Sequence, residues 1–97
     1  MAAQVRTVRV ATNAQVTALG NRTNVAGWNL VAAAANATAS IFNNTDGSGD
    51  PIEELATLAA TNSYVPFAHY AGGGLEFTAG VYVKLSGAGA VVYLHYY

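Results

Sequence analysis

The residues that could do chemistry are few. Histidine occurs only at His69 and His95, and cysteine is absent. That removes thiolate nucleophiles, disulfides and thiolate zinc sites. A Ser/His/Asp set can be drawn from Ser63, His69 and Asp46, yet no serine sits in a G-x-S-x-G elbow, and Ser48 belongs to the turn Gly47-Ser48-Gly49. Glu53 and Glu54 are adjacent, which on a strand sends them to opposite faces and disfavours a paired acid and base. The expectation is a protein that is not an enzyme, with no catalytic residue.

Metal and phosphate chemistry have little more support. Asn44, Asp46, Ser48 and Asp50 alternate like the opening of an oxygen-ligand calcium loop, with Gly49 at the sixth position. Position twelve, however, is Leu55 where a bidentate Glu is needed, and a hairpin turn explains the same residues. Gly72-Gly73-Gly74 and Gly87-Ala88-Gly89 link strands and precede no helix with a lysine, so neither cradles phosphate. No metal site and no cofactor is expected. Asn21, Asn36 and Asn43 stand in sequons, which without a secretory signal are only Asn/Thr-rich composition.

Two groups point instead to contact with other molecules. Arg6 and Arg9 supply half of the four basic residues and lie together in the first strand, where guanidinium forks could pair with carboxylates of a partner. The six tyrosines, Tyr64, Tyr70, Tyr82, Tyr93, Tyr96 and Tyr97, exceed what so small a core can hold with each hydroxyl satisfied. Tyrosine is favoured at interfaces because it joins a large apolar area to a polar tip. If the last strand alternates, Tyr93, His95 and Tyr97 share one face and Val92, Leu94 and Tyr96 the other. The candidate contact residues are therefore Arg6, Arg9, Tyr70, Tyr93, His95, Tyr96 and Tyr97. Trp28 is expected to be a core anchor.

Composition bounds the rest. Ninety-seven residues make one domain, and charged residues are 9% of them, against about 25% in an average protein. Apolar residues are 53%, but many are alanine. A net charge of −1 provides no field to hold nucleic acid or an anionic membrane. No apolar run approaches the ~20 residues that span a bilayer. The N-terminal stretch alternates apolar with polar residues and has no signal-peptide core, so synthesis in a cytoplasm and use without cleavage are expected. A small domain with so few charges is expected to cover much of its surface with neighbours.

The elements that carry these residues read as all-β. Strands are expected at Gln4–Ala11, Ala14–Leu19, Gly27–Ala34, Ala37–Phe42, Tyr64–Tyr70, Leu75–Leu85 and Ala90–Tyr97, separated by Gly, Asn, Asp, Ser and Pro clusters. Gly20–Asn24 is read as a turn, and Asn43–Asp50 is the clearest loop, with a hairpin signal at Asp46-Gly47. Pro51–Ala60 admits a helix, capped by Asp50 with Pro51 at its first position, or a strand; strand is preferred on the β character around it. Gly80 is expected to mark a bulge or a close approach, and the last two runs are expected to pair as a hairpin. The predicted architecture is a single-domain, compact antiparallel β-sandwich or jelly-roll-like barrel over residues 13–97, preceded by an N-terminal strand or arm over 1–12.

The order of several pieces resembles a known group. A strand ending Ile41-Phe42-Asn43 leads to Thr45-Asp46-Gly47-Ser48-Gly49 and then Pro51-Ile52 with Leu55. Later come Gly74-Leu75-Glu76-Phe77-Thr78-Ala79-Gly80-Val81-Tyr82-Val83, Leu85-Ser86-Gly87 and the final Val92-Tyr93-Leu94-His95-Tyr96-Tyr97. Over residues 26–97 this is similar to the small β-sandwich virion proteins of tailed bacteriophages, which include capsid decoration (cement) proteins and minor head or tail components. The resemblance implies a virion structural protein made in the host cytoplasm. Its expected partner is the major capsid protein, and a homo-oligomer, a trimer foremost, is expected. The alternative is a tail, fibre or surface module that binds a host glycan through Tyr and His.

Overall fold

The computed structural model describes residues 6–15, 23–67 and 74–97. Nine strands cross them: β1 (Arg6–Val10), β2 (Ala14–Gln15), β3 (Thr23–Val31), β4 (Ala37–Phe42), β5 (Glu53–Thr57), β6 (Asn62–Pro66), β7 (Leu75–Phe77), β8 (Tyr82–Ser86) and β9 (Val91–Tyr96). They form two antiparallel sheets, one ordered β1-β9-β3-β6 with β7 also on β3, the other β2-β8-β4-β5. The chain folds as a single-domain β-sandwich.

Period-two alternation builds the layer between the sheets. Trp28 and Leu30 of β3, Val92 and Leu94 of β9, Ala37, Ala39 and Ile41 of β4, and Val83 of β8 all point inward and are buried, joined by Phe67 and Phe77. Trp28 is the anchor expected of it, with no exposed surface. Its indole Nε1 donates a 2.8 Å hydrogen bond to Glu53 Oε1 on the edge of the other sheet. Glu53 is thus a cross-sheet acceptor. Glu54 points outward to solvent, so the two carboxylates do fall on opposite faces.

Several element boundaries correct the sequence reading. Thr23 and Asn24 begin β3 and do not belong to the preceding turn; residues 20–22 of that turn, 16–19 of the second expected strand and 68–73 lie outside the described residues. The 51–60 segment is strand over Glu53–Thr57, followed by a tight turn. Its alternating exposure is that of an edge strand whose inward side chains meet the core.

The expected terminal hairpin does not form. Residues 75–86 divide between the sheets, β7 pairing with β3 and β8 with β4, while β9 pairs with β1 and β3. The break falls at Gly80. There Asn43 Oδ1 accepts from the Thr78 and Ala79 amides (3.0 and 2.9 Å), and a Cβ on Gly80 would lie 3.0 Å from the Asn44 carbonyl oxygen. The close approach foreseen for Gly80 is real, and it marks a crossover between layers. Among the described strands only β4 and β5 are both consecutive and paired. The N-terminal strand is the outer strand of its sheet: Arg6–Val10 pairs with β9 over five positions, and Val10 enters the core.

Two substitutions test this layer. Trp28→Ala should destabilise by about 3–5 kcal/mol, the cost of emptying a large buried aromatic site, enough to unfold a marginal domain. Asn43→Ala should cost about 0.5–1.5 kcal/mol, since the exposed Thr78 and Ala79 amides exchange their acceptor for water. Urea unfolding followed by Trp fluorescence (circular dichroism for Trp28→Ala) measures both.

Candidate functional site

The outward side of the β1-β9-β3-β6 sheet gathers aromatic and polar side chains from four strands. Cross-strand register defines it, because directly opposed residues share a face. Arg9, Tyr93, Asn29 and Tyr64 make one row from β1 to β6, and Thr7, His95, Gly27 and Pro66 make the next. Two tyrosines, a histidine, an amide and a guanidinium thus lie on one sheet face.

Local contacts fix the rings. Thr7 Oγ1 hydrogen-bonds His95 Nδ1 at 2.9 Å. The Tyr64 ring meets the His95 imidazole edge to face, with centroids 5.8 Å apart and planes at 68°, a preferred geometry for aromatic pairs. This is possible because residue 27 is glycine: a Cβ there would stand 3.1 Å from the Tyr64 hydroxyl and 2.8 Å from the Val65 carbonyl oxygen. Tyr64 nevertheless keeps 55% of its surface exposed. Between Tyr64 and Tyr93, Asn29 Oδ1 is buried without a hydrogen-bond partner among the described residues.

The expected contact residues do not all meet here. Arg9, Tyr93 and His95 do. Arg6 stands across from Tyr96 on the opposite side of the sheet, exposed at the sandwich margin, while Tyr96 packs against the core. Tyr97 follows β9, with its amide bonded to the Asn24 carbonyl (3.0 Å) and its ring beside Gly74. Tyr70 lies outside the described residues, as does His69. Sequence reasoning missed Thr7, Asn29 and Tyr64, whose place on the face depends on β1 and β6 flanking β9 and β3. Alternation within one strand carries no information on such pairing.

The loop with a calcium-like spacing closes on itself. Asn44 Oδ1 accepts from the Asp46 and Gly47 amides (3.3 and 2.8 Å), and its Nδ2 donates to the Ser48 carbonyl (2.9 Å). Asp46 Oδ1 accepts from the Ser48 amide (3.0 Å) and hydroxyl (2.7 Å). These oxygens serve the loop's own backbone, as in other Asx turns. The turn lies over β8, where a Cβ on Gly47 would collide with Tyr82 and Lys84, and the Lys84 ammonium stands 5.1 Å over the Phe42 ring. Among the described residues no three His, Cys, Asp or Glu side chains converge as a metal group, and no helix is long and apolar enough to cross a membrane.

Comparison with known proteins adds no identity: no family model, curated protein or solved structure matches the chain.

The Asp46 carboxyl gives a titration prediction. The Ser48 amide and hydroxyl hold its pKa below the ordinary aspartate value. A carboxyl lowered in the folded state stabilises the fold above its unfolded pKa, and this contribution fades as pH falls through the lowered value. Carboxyl NMR should therefore place the Asp46 midpoint below that of a model peptide, and Ser48→Ala should raise it. Since alanine keeps the amide, a midpoint unmoved by Ser48→Ala would rule out the hydroxyl's share, and an Asp46 midpoint at the model-peptide value in the parent would contradict this origin altogether.

Proposed function

We propose that this chain is a virion structural protein, a capsid decoration protein of a tailed bacteriophage that docks on the major capsid protein and stabilises contacts in the shell. The observation that carries the reading is the outward face of the five-stranded sheet, where cross-strand register gathers Tyr64, Tyr93 and His95 with Arg9 at the edge strand. Flat aromatic surfaces with a polar rim suit protein partners, where Tyr and Arg are the common energetic anchors. The order of motifs over residues 26–97 supplies the particle, and the low charge of the chain supports life among neighbours.

The mechanism is linkage. A ligand that binds only the assembled shell stabilises that state by its binding free energy at each occupied site. Repetition over many sites, and docking as an oligomer, raise the total without stronger single contacts. Arg9 would orient the approach to an acidic patch, and the tyrosines would hold the contact once water is expelled. Because β1 is a sheet strand with Val10 in the core, point substitutions probe this face better than deletion of residues 1–12.

A second reading keeps the face and changes the ligand. Tyr64 is exposed beside His95 and Asn29, the kind of ring against which a sugar stacks, and the module would then serve a tail or fibre and bind a host glycan.

Particle retention tests the first reading. Tyr64→Ala and Arg9→Glu should each lower the copies retained on purified particles, with a loss of affinity of tenfold or more for Tyr64→Ala, about 1.4 kcal/mol or above. Thermal unfolding of the isolated variants should stay near that of the parent. Undiminished occupancy of both variants would overturn the reading. Glycan-array binding abolished by Tyr64→Ala would favour the second.

A further inference from the structure

The backbone of the five-stranded sheet has a definite phase, and that phase decides what β1 turns outward. Successive residues of a strand send their N–H and C=O groups to alternate edges. Along β3, the Ala32 amide donates to the Thr61 carbonyl (2.9 Å) and the Ala26 carbonyl accepts from the Phe67 amide (2.8 Å), both on the β6 side. At the end of β9, the Tyr97 amide donates to the Asn24 carbonyl of β3 (3.0 Å). Tyr93 and His95 therefore bond toward β3, and Val92, Leu94 and Tyr96 toward β1. Their partners there are Val10, Val8 and Arg6. Thr7 and Arg9 are left pointing their amides and carbonyls away from β9, off the edge of the sheet. The 2.9 Å contact between Thr7 Oγ1 and His95 Nδ1 agrees, because side chains approach closest where opposed residues exchange no backbone bond.

An open edge is a template for another strand, and proteins blunt the edges they do not use. At the far edge of the same sheet, β6 ends in Pro66, which has no N–H to offer. In the other sheet, β2 covers only part of β8, and the Leu85 amide beyond it is taken by Asn13 Oδ1 (2.6 Å). β1 has neither device. Arg6–Val10 contains no proline and pairs with β9 without a register shift. Among the described residues, no backbone bond reaches Thr7 or Arg9 from beyond the sheet. What this edge carries is charge. Arg6 and Arg9 are exposed, and neither guanidinium has an ion pair or hydrogen bond among the described residues. Between them Val8 is half-buried and packs on the core, so the inner side of the edge is apolar.

These features select the occupant. A second copy offering its own β1 would set Arg6 and Arg9 against their like, which repels. Carboxylates are attracted by the same two groups. We propose that β1 receives an extended acidic segment of a protein partner as an added strand, bonded to the backbone of Thr7 and Arg9. Its carboxylates stand toward Arg9 on the outward face, and an apolar side chain lies beside Val8 on the inner one. The segment is therefore one in which acidic and apolar residues alternate. Because the edge backbone makes this contact, it stands whether or not the Tyr64–His95 face meets a capsid.

The test uses a capped peptide of alternating glutamate and valine, added to the purified full chain without particles, with amide exchange and chemical shifts read by NMR. In the free chain the Thr7 and Arg9 amides should exchange fast and the Val8 amide slowly. At saturation the peptide should protect Thr7 and Arg9. N-methylation of the peptide backbone keeps its charge and should weaken binding by about tenfold or more, as should lysine in place of glutamate. Arg6→Glu combined with Arg9→Glu should reverse the preference between the acidic and the basic peptide. Absence of saturable binding overturns the proposal, as does equal binding of the methylated peptide, which would show attraction without strand pairing. Thr7 and Arg9 amides already protected in the free chain would also overturn it, because a segment of this chain or a second copy would then hold the edge.

Discussion

The whole arrangement depends on closing two sheets over one thin layer in a chain without disulfides. Trp28 governs that closure: it fills the layer from the five-stranded sheet and reaches across to Glu53 on the edge of the other. A buried indole N–H left without an acceptor would cost about 1–3 kcal/mol, so the bond fixes where β5 sits as well as how Trp28 lies. The position of β5 then sets the turn that follows it, and that turn delivers β6 to the far side of β3. The Tyr64 that β6 carries completes the aromatic face. A core constraint thus propagates to the outer surface through strand order.

Function follows from what the closed sandwich leaves outside. With so few charges, the solvent surface is made of alanine, threonine, asparagine and tyrosine more than of lysine and glutamate. The two places where it is most organised differ in kind. On the sheet face, rings stand beside Gly27; at the Leu58 turn, one aliphatic group projects from a braced loop.

Much of this was legible in the residues. Alternation grouped Val92 and Leu94 with Tyr96 on one side of β9 and Tyr93 with His95 on the other, and Trp28 was expected in the core; the burial agrees. The β reading of Glu53–Thr57 came from its surroundings and is correct. What the chain did not disclose was pairing. A period of two says which face of a strand is buried, but not which sheet the strand joins. Residues 75–86 therefore read as one run pairing with the last strand, when Asn43 splits that run and directs β7 and β8 into opposite layers. Asn29 and Tyr64 could not be set beside Tyr93 and His95 for the same reason, and Leu58 gave no signal because nothing in Leu-Ala-Ala-Thr announces a turn closed by an alanine at positive φ.

The central claim is that the ring-bearing side of the five-stranded sheet is where this protein meets a viral shell. Cryo-electron microscopy of purified particles, at a resolution that traces side chains, measures this most directly. The account predicts copies in fixed stoichiometry with the major capsid protein, their Tyr64, Tyr93 and Arg9 turned into the shell. Particles devoid of the protein, or copies seated with that face open to solvent, would contradict it.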